Sequence, residues 1–352
     1  MRCTLGLSAG TMITLLGCGL DGTAGTLTPK SAEPEPTPGA LSAPLMLQAL
    51  ELTEDDDLPA FLAPWGKDLF WISETGTLWR VSSESKAKAT VLTHDGRPIR
   101  GLAAGGGVVA WIAEEKTGSV LLRMPASGGA ITEVARGVVG AVTIEGTHVY
   151  WTGKDGMLRA PLAGGVIEAV SAGPAGATAL TLGAEHLFWA SGNDDASSRV
   201  YRSSRVATKE ARTDILVPAL SGTGPVKRGS LGLGDDALIW LDTAGRLHEV
   251  ATAGGKPTML DASGFSAWAP GGRYIYAAKS YGEGIQRLDR QGGPPTVAFP
   301  TPSQPKLIVR RGADLHWAEW KSTCTKENFD GKSGWCAAYR YDVRLVRATV
   351  QD

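Results

Sequence analysis

Short apolar runs recur along the chain, and each carries one large aromatic near its end: Trp71, Trp111, Trp151, Trp189, Trp240, Tyr276 and Trp317. The steps between them are 40, 40, 38, 51, 36 and 41 residues. Each aromatic is followed by a turn signal, a second apolar run and a basic residue, in order Arg80, Arg123, Arg159, Arg202, His248, Arg287 and Arg340. The third unit shows the pattern in full. Val142-Thr143-Ile144 is apolar and β-branched, Glu145-Gly146 marks a turn, and His148-Val149-Tyr150-Trp151 has the composition of a strand. Gly153-Lys154-Asp155-Gly156 is a second turn, Met157-Leu158-Arg159-Ala160 a third strand, and Val166 to Val170 a fourth beyond Pro161 and Gly164-Gly165.

Four short strands per unit, a period near 40 residues and no helical period predict a β-propeller with one blade per repeat. The expected fold is all-β: a single propeller of seven four-stranded blades over residues 45–352, with eight blades as the alternative if the 51-residue step hides an extra hairpin. A closed ring removes the exposed sheet edges that an open array of such sheets would present. Two segments compete to complete the last blade, Leu45–Leu50 before the first repeat and Arg344–Val350 at the end.

The aromatic-Trp strand, glycine turn and apolar-x-Arg strand resemble the YWTD and NHL-type propeller repeats. Val149-Tyr150-Trp151-Thr152 is nearest to the YWTD unit, but Gly153 stands where that family has its Asp, so the family's inter-blade Asp contacts are not expected here.

The N-terminus has a different pattern. Arg2 precedes a 12-residue uncharged run, Leu5–Leu16, too short to span a bilayer and of the length of a secretory signal core. It ends in Leu15-Leu16-Gly17-Cys18, which resembles the lipobox of bacterial lipoproteins. The resemblance implies a signal peptide over residues 1–17, lipidation of Cys18 by several acyl chains, and a durable tether to the bacterial cell envelope. The alternative is an ordinary signal peptide with a chance Cys. Gly19, where inner-membrane lipoproteins often carry Asp, leans towards the outer membrane. Residues 18–44 are rich in Gly, Thr, Ser and Pro and read as a spacer with an r.m.s. span of roughly 30 Å.

Composition narrows the partners. Thirty-five basic and 36 acidic side chains give a net charge of −1, and no Lys/Arg block is present, which excludes a duplex-binding domain. The 46 glycines are spread over many turns. Gly6-Leu7-Ser8-Ala9-Gly10 matches a hydrolase elbow but lies in the signal, and no zincin, Walker or dinucleotide motif occurs, so no catalytic residue, cofactor or metal is assigned.

The repeated aromatics are expected to fill the wedges between blades, and the repeated basic residues to cover apolar surface and bond a neighbouring blade's carbonyls. Cys324 and Cys336 bracket a polar loop longer than the others and are expected to form a disulfide in an oxidising compartment, the alternative being half of a metal site without its partner ligands. Lys326 and Ala337 occupy the key carboxylate positions of the calcium-loop-like Asn328–Lys332, which rejects that reading. Acidic runs Glu54–Asp57 and Asn193–Asp195 read as solvated loops. The five histidines (94, 148, 186, 248 and 316) are spread over different repeats, a scaffold distribution.

Loops after the second strand of each blade vary over a regular frame, which is where binding specificity is expected. Trp320, Trp335, Asp194, Asp195 and Tyr281 are the candidate interaction surface, the alternative being a stapled loop that only pins the final blade. The expected function is a lipid-anchored envelope propeller that binds another envelope protein. The alternatives are a lyase- or hydrolase-type enzyme with its site at the channel mouth, or a carbohydrate-binding, lectin-like propeller.

Overall fold

The computed structural model describes residues 41–52, 58–82, 88–173, 177–191, 199–205, 213–217, 225–279, 284–329 and 334–350. Seven antiparallel four-stranded sheets form a ring of seven blades. Blades 1 to 6 span Pro59–His94, Ile99–Arg136, Val138–Ala172, Ala177–Val217, Val226–Asp261 and Phe265–Phe299, each running from inner to outer strand in chain order.

Blade 7 takes strands from both ends of the chain. Its inner three are Gln304–Arg311, Asp314–Phe329 and Gly334–Thr349, and Leu45–Leu52 adds the outermost. The two candidate closing segments therefore pair with each other, Leu45 opposite Arg347 and Leu52 opposite Tyr341. The pairing continues upstream of residue 45, with Leu41 bridging Val350 and the Ser42 amide donating to Thr349 O at 2.9 Å.

Six of the repeated aromatics hold one equivalent position. Trp71, Trp111, Trp151, Trp189, Trp240 and Trp317 are all buried, and each lies in a cluster with residues of the preceding blade. A large aromatic buries about 150–250 Å², worth about 4–6 kcal/mol as an upper bound. Tyr276 departs from the set. It pairs with Arg287, as Tyr150 pairs with Arg159, so Ala277 occupies the tryptophan position of blade 6. Tyr276 packs instead towards blade 7, with Ile308 and Trp317. The wedge between blades 5 and 6 receives Trp268 from the inner strand, opposite Ala277 and close against Gly232, where a Cβ would lie 2.8 Å from the Trp268 ring.

Register also corrects two of the basic residues. The position occupied by Arg80, Arg123, Arg159, Arg202 and Arg287 is held by Glu249 in blade 5 and Arg347 in blade 7, not by His248 and Arg340. His248 lies one residue earlier, stacked on Trp240 at 5.6 Å between ring centroids. Three of the arginines reach the carbonyl just past the third strand of the next blade: Arg80 to Ala126 at 3.2 Å, Arg159 to Arg205 at 3.3 Å and Arg202 to Thr252 at 3.0 Å. Between blades 5 and 6 the polarity is reversed, with Arg290 donating its Nε to Glu249 at 3.1 Å. These bonds fasten blade to blade away from the channel, as the repetition of the basic position implied.

Candidate functional site

All seven inner strands slip register near their start, between Pro59 and Phe61, Ile99 and Gly101, Val138 and Val142, Ala177 and Ala179, Val226 and Leu231, Phe265 and Ala267, and Pro305 and Leu307. A β-bulge bends its strand and re-aims the extra residue. The repeated bulge brings Ala60, Arg100, Gly140, Thr178, Lys227, Ser266 and Lys306 to the wall of one cavity of about 510 Å³ at the channel mouth. Gly140 has no room for a side chain, since a Cβ there would meet the Ala177 carbonyl of blade 4 at 1.9 Å.

This mouth opens on the face that carries the turns between second and third strands. In blade 5 that turn is held by Asp242, which is fully buried. Its carboxylate accepts the amides of Ala244 and Arg246, each at 2.9 Å, and bonds Arg246 Nε at 2.6 Å and His248 Nε2 at 3.0 Å. Burial pushes the Asp242 carboxyl up, but the Arg246 amide, His248 and the Arg246 guanidinium outweigh it and hold the group below the usual carboxylate range. The arrangement spends the carboxylate on shaping a turn. Between blades 1 and 2, Arg97 bonds Asp95 and Glu115, Glu115 also takes Arg136, and Asp95 accepts Trp111 Nε1 at 2.8 Å. Among the described residues no group of three or more His, Cys, Asp and Glu side chains is placed to hold a metal ion.

Blade 7 breaks the evenness of this face. Its second and third strands run 16 residues each, and they remain paired from Lys321–Asp342 to Phe329–Gly334, past the start of the inner strand opposite Trp320. The segment expected as a polar loop is thus a hairpin arm, with register slips between Cys324 and Glu327. At about 3.3 Å per residue the arm reaches roughly 25–30 Å beyond the sheet.

Trp320 stands at the base of this arm, half-buried and packed on the cluster shared by blades 7 and 1. Trp335 pairs with Asn328 in the arm's backbone ladder. Cys324 lies opposite Tyr339 and is not a free thiol, while Cys336 lies opposite Glu327. Tyr339 is 41% exposed, and its ring lies 6.1 Å from that of Tyr341. Asp194, Asp195, Tyr281 and Cys18 lie outside the described residues, as do Glu54–Asp57.

The inner-strand lysines carried no sequence signal, because alternation shows which residues face a sheet but not where a bulge turns one into the channel. Lys227 sits in the largest slip, where Lys227–Ser230 stand opposite the single residue Leu241.

Solved structures share this architecture. A structure described as YCF48 bound to D1 peptide aligns with TM-score 0.57 at 12% identity, covering 91% of this chain and 100% of that one. The propeller domain of Cps50 (Swd1) from Myceliophteria thermophila aligns with TM-score 0.54 at 11% identity over 84% and 99% of the two chains. BamB from Moraxella catarrhalis gives TM-score 0.52 at 15% identity over 86% and 98%. No family model matches the chain, and no curated protein matches it in sequence. At these identities the likeness shows the fold alone, a β-propeller, and the sheet topology of this chain makes it seven-bladed.

Proposed function

We propose that this chain is an exported, lipid-anchored protein of the bacterial cell envelope whose propeller binds another envelope protein through the face bearing the blade 7 arm. The observation that carries the reading is the arm itself. Among the described residues one blade in seven extends its middle strands far past the ring, and its side chains from Lys321 to Thr323, with Thr325, Tyr339 and Arg340, are solvent-exposed. A projecting antiparallel ladder with an exposed aromatic offers both backbone and ring surface to a partner. The YCF48 structure, of the same fold, is described as a complex with a peptide.

Lipidation at Cys18 and the pairing of Cys324 with Cys336 belong to this proposal. They are supported by the lipobox-like Leu15–Cys18 and by the placement of both arm cysteines on adjacent strands. The spacer before the ring would let the propeller stand away from the membrane.

The competing readings find less support. A hydrolase site at the channel mouth needs converging histidines and carboxylates, whereas the charged lining among the described residues is Arg100, Lys227 and Lys306. A lectin reading needs equivalent aromatics exposed in several blades, and the repeated tryptophans are buried.

The test is a membrane pull-down with quantitative mass spectrometry. Replacing Trp335 and Tyr339 together by Ala should remove at least nine-tenths of the co-purifying envelope partner while the melting temperature moves by less than about 2 °C. Cys18→Ala should release the protein into the soluble fraction. Retention of the partner by the arm variant would refute the binding surface, and continued membrane association of Cys18→Ala would refute the anchor.

A further inference from the structure

The channel mouth has a second asymmetry that the arm does not account for. Among the described residues lining its cavity of about 510 Å³ the charged side chains are Arg100, Lys227 and Lys306, all cations, in a chain whose net charge is −1. Arg100 is engaged by Glu114 through its Nε. Among the described residues neither lysine bonds a carboxylate. Lys227 Nζ donates to Ser266 O of blade 6 at 2.8 Å, and Lys306 Nζ, from blade 7, donates to Gln304 Oε1 of its own strand. Each ammonium keeps donors unused, and the two flank blade 6 from either side.

Blade 6 is also where the ring is least regular. Its wedge position holds Ala277, and its inner strand approaches that of blade 5 less closely than any other neighbouring pair. Lys227 crosses that gap. The wall beside the lysines is apolar, with Trp268, Leu307 and Val309 on the same cavity as the Ser266 hydroxyl. Thr178 Oγ1, also on the cavity, is buried without a hydrogen-bond partner. Burial lowers the pKa of both lysines. Their charge is thus held against a desolvation cost that an incoming anion would relieve.

We propose that the channel mouth is a binding site for an apolar group ending in a carboxylate, the anion held between Lys227 and Lys306 beside Ser266 and the apolar part laid against Trp268 and Leu307. The two point charges suit a single negative charge, and among the described residues of the lining no free guanidinium fork is present for bidentate capture of a phosphate. The carboxylate could come from a free aliphatic acid or from a peptide C-terminus. The site stands whether or not the arm binds a partner.

Calorimetric titration of the full-length protein with hexanoate, hexanol, the peptide Ala-Leu-Leu with a free C-terminus, and its C-terminal amide tests the proposal. Hexanoate or the free-acid peptide, or both, should bind at least tenfold more tightly than the neutral counterpart, and which of the two does so identifies the source. Lys227→Met with Lys306→Met should abolish that preference while leaving the cooperative melt intact, and each single variant should reduce it. Should the double variant fail to melt cooperatively, the salt dependence of hexanoate binding to the unaltered protein is the second measurement, and an affinity that added salt does not weaken would overturn the proposal. Equal binding of acid and neutral forms, no binding of either acid at 10 mM, or a preference that survives loss of both lysines would overturn it.

Discussion

In blade 3 the sheet begins and ends together. Its second and third strands, His148–Gly153 and Gly156–Pro161, are six residues each, close on a tight turn with Gly156 at φ 136°, and place Trp151 against blade 2. In blade 7 the corresponding strands are 16 residues each and run on past the sheet, and the outermost strand comes from the other end of the chain. Both blades keep the same ladder near the ring, since Trp151 faces Leu158 as Trp317 faces Val346. Residues common to the two answer to packing between blades. Residues present in only one have no such duty, and the arm and Lys306 both belong to this second group.

The comparison breaks first at the wedge. Trp151→Ala should cost about 3–5 kcal/mol, because it removes a large buried side chain whose site is walled by two sheets and cannot collapse. Chemical denaturation read by circular dichroism would show it, and a loss below about 1 kcal/mol would mean that the blades do not depend on these rings.

Much of this is legible in the sequence. Strand composition, glycine turns and the period gave the seven blades, because each repeat meets the same physical demands. The failures are instructive. Tyr276 looked like the sixth wedge since it ends an apolar run at the right distance, yet register gives that place to Ala277, with Trp268 supplying bulk from the neighbouring strand. His248 looked like a frame cation because it follows a Gly turn and an apolar residue, yet the frame position is Glu249, whose charge is matched by Arg290 of the next blade. A swap of sign across an interface leaves no trace in a pattern that reads one blade at a time. The arm's length was visible as an excess of residues, but its polar composition concealed a continuous ladder. The channel lysines were invisible altogether, since a bulge is a property of pairing.

A smaller effect separates the buried part of blade 7 from its exposed part by pH. His316 is 4% exposed, and burial pushes its pKa down to about 4, with Arg347 and Arg311 adding to the effect and Asp314 opposing it. The unfolded chain protonates this group near pH 6.5, so it binds more protons than the folded chain between pH 6.5 and 4. Stability from this residue is therefore complete above pH 6.5, falls as pH drops through that window, and levels off below about 4. The loss amounts to about 3 kcal/mol at most. Urea unfolding of the wild type and of His316→Gln at several pH values isolates it: the wild-type curve should fall more steeply between pH 6.5 and 4, and parallel curves would contradict the assignment.

The smallest effect is expected where blade 7 departs furthest from blade 3. Joining Ser322 to Tyr341 through Asn-Gly removes the arm beyond the pair that the two residues form, and supplies the turn that a two-residue hairpin prefers. The described side chains lost in this way are mostly exposed, and a shorter connection is slightly easier to close. The ring should keep its unfolding free energy to within about 1 kcal/mol. This decides between the two roles open to the arm. A device that pins the last blade would, on removal, weaken closure between the terminal strand Leu45–Leu52 and its partner and lower stability by several times that amount. A device that meets a partner would leave the ring as stable as before and abolish only the association.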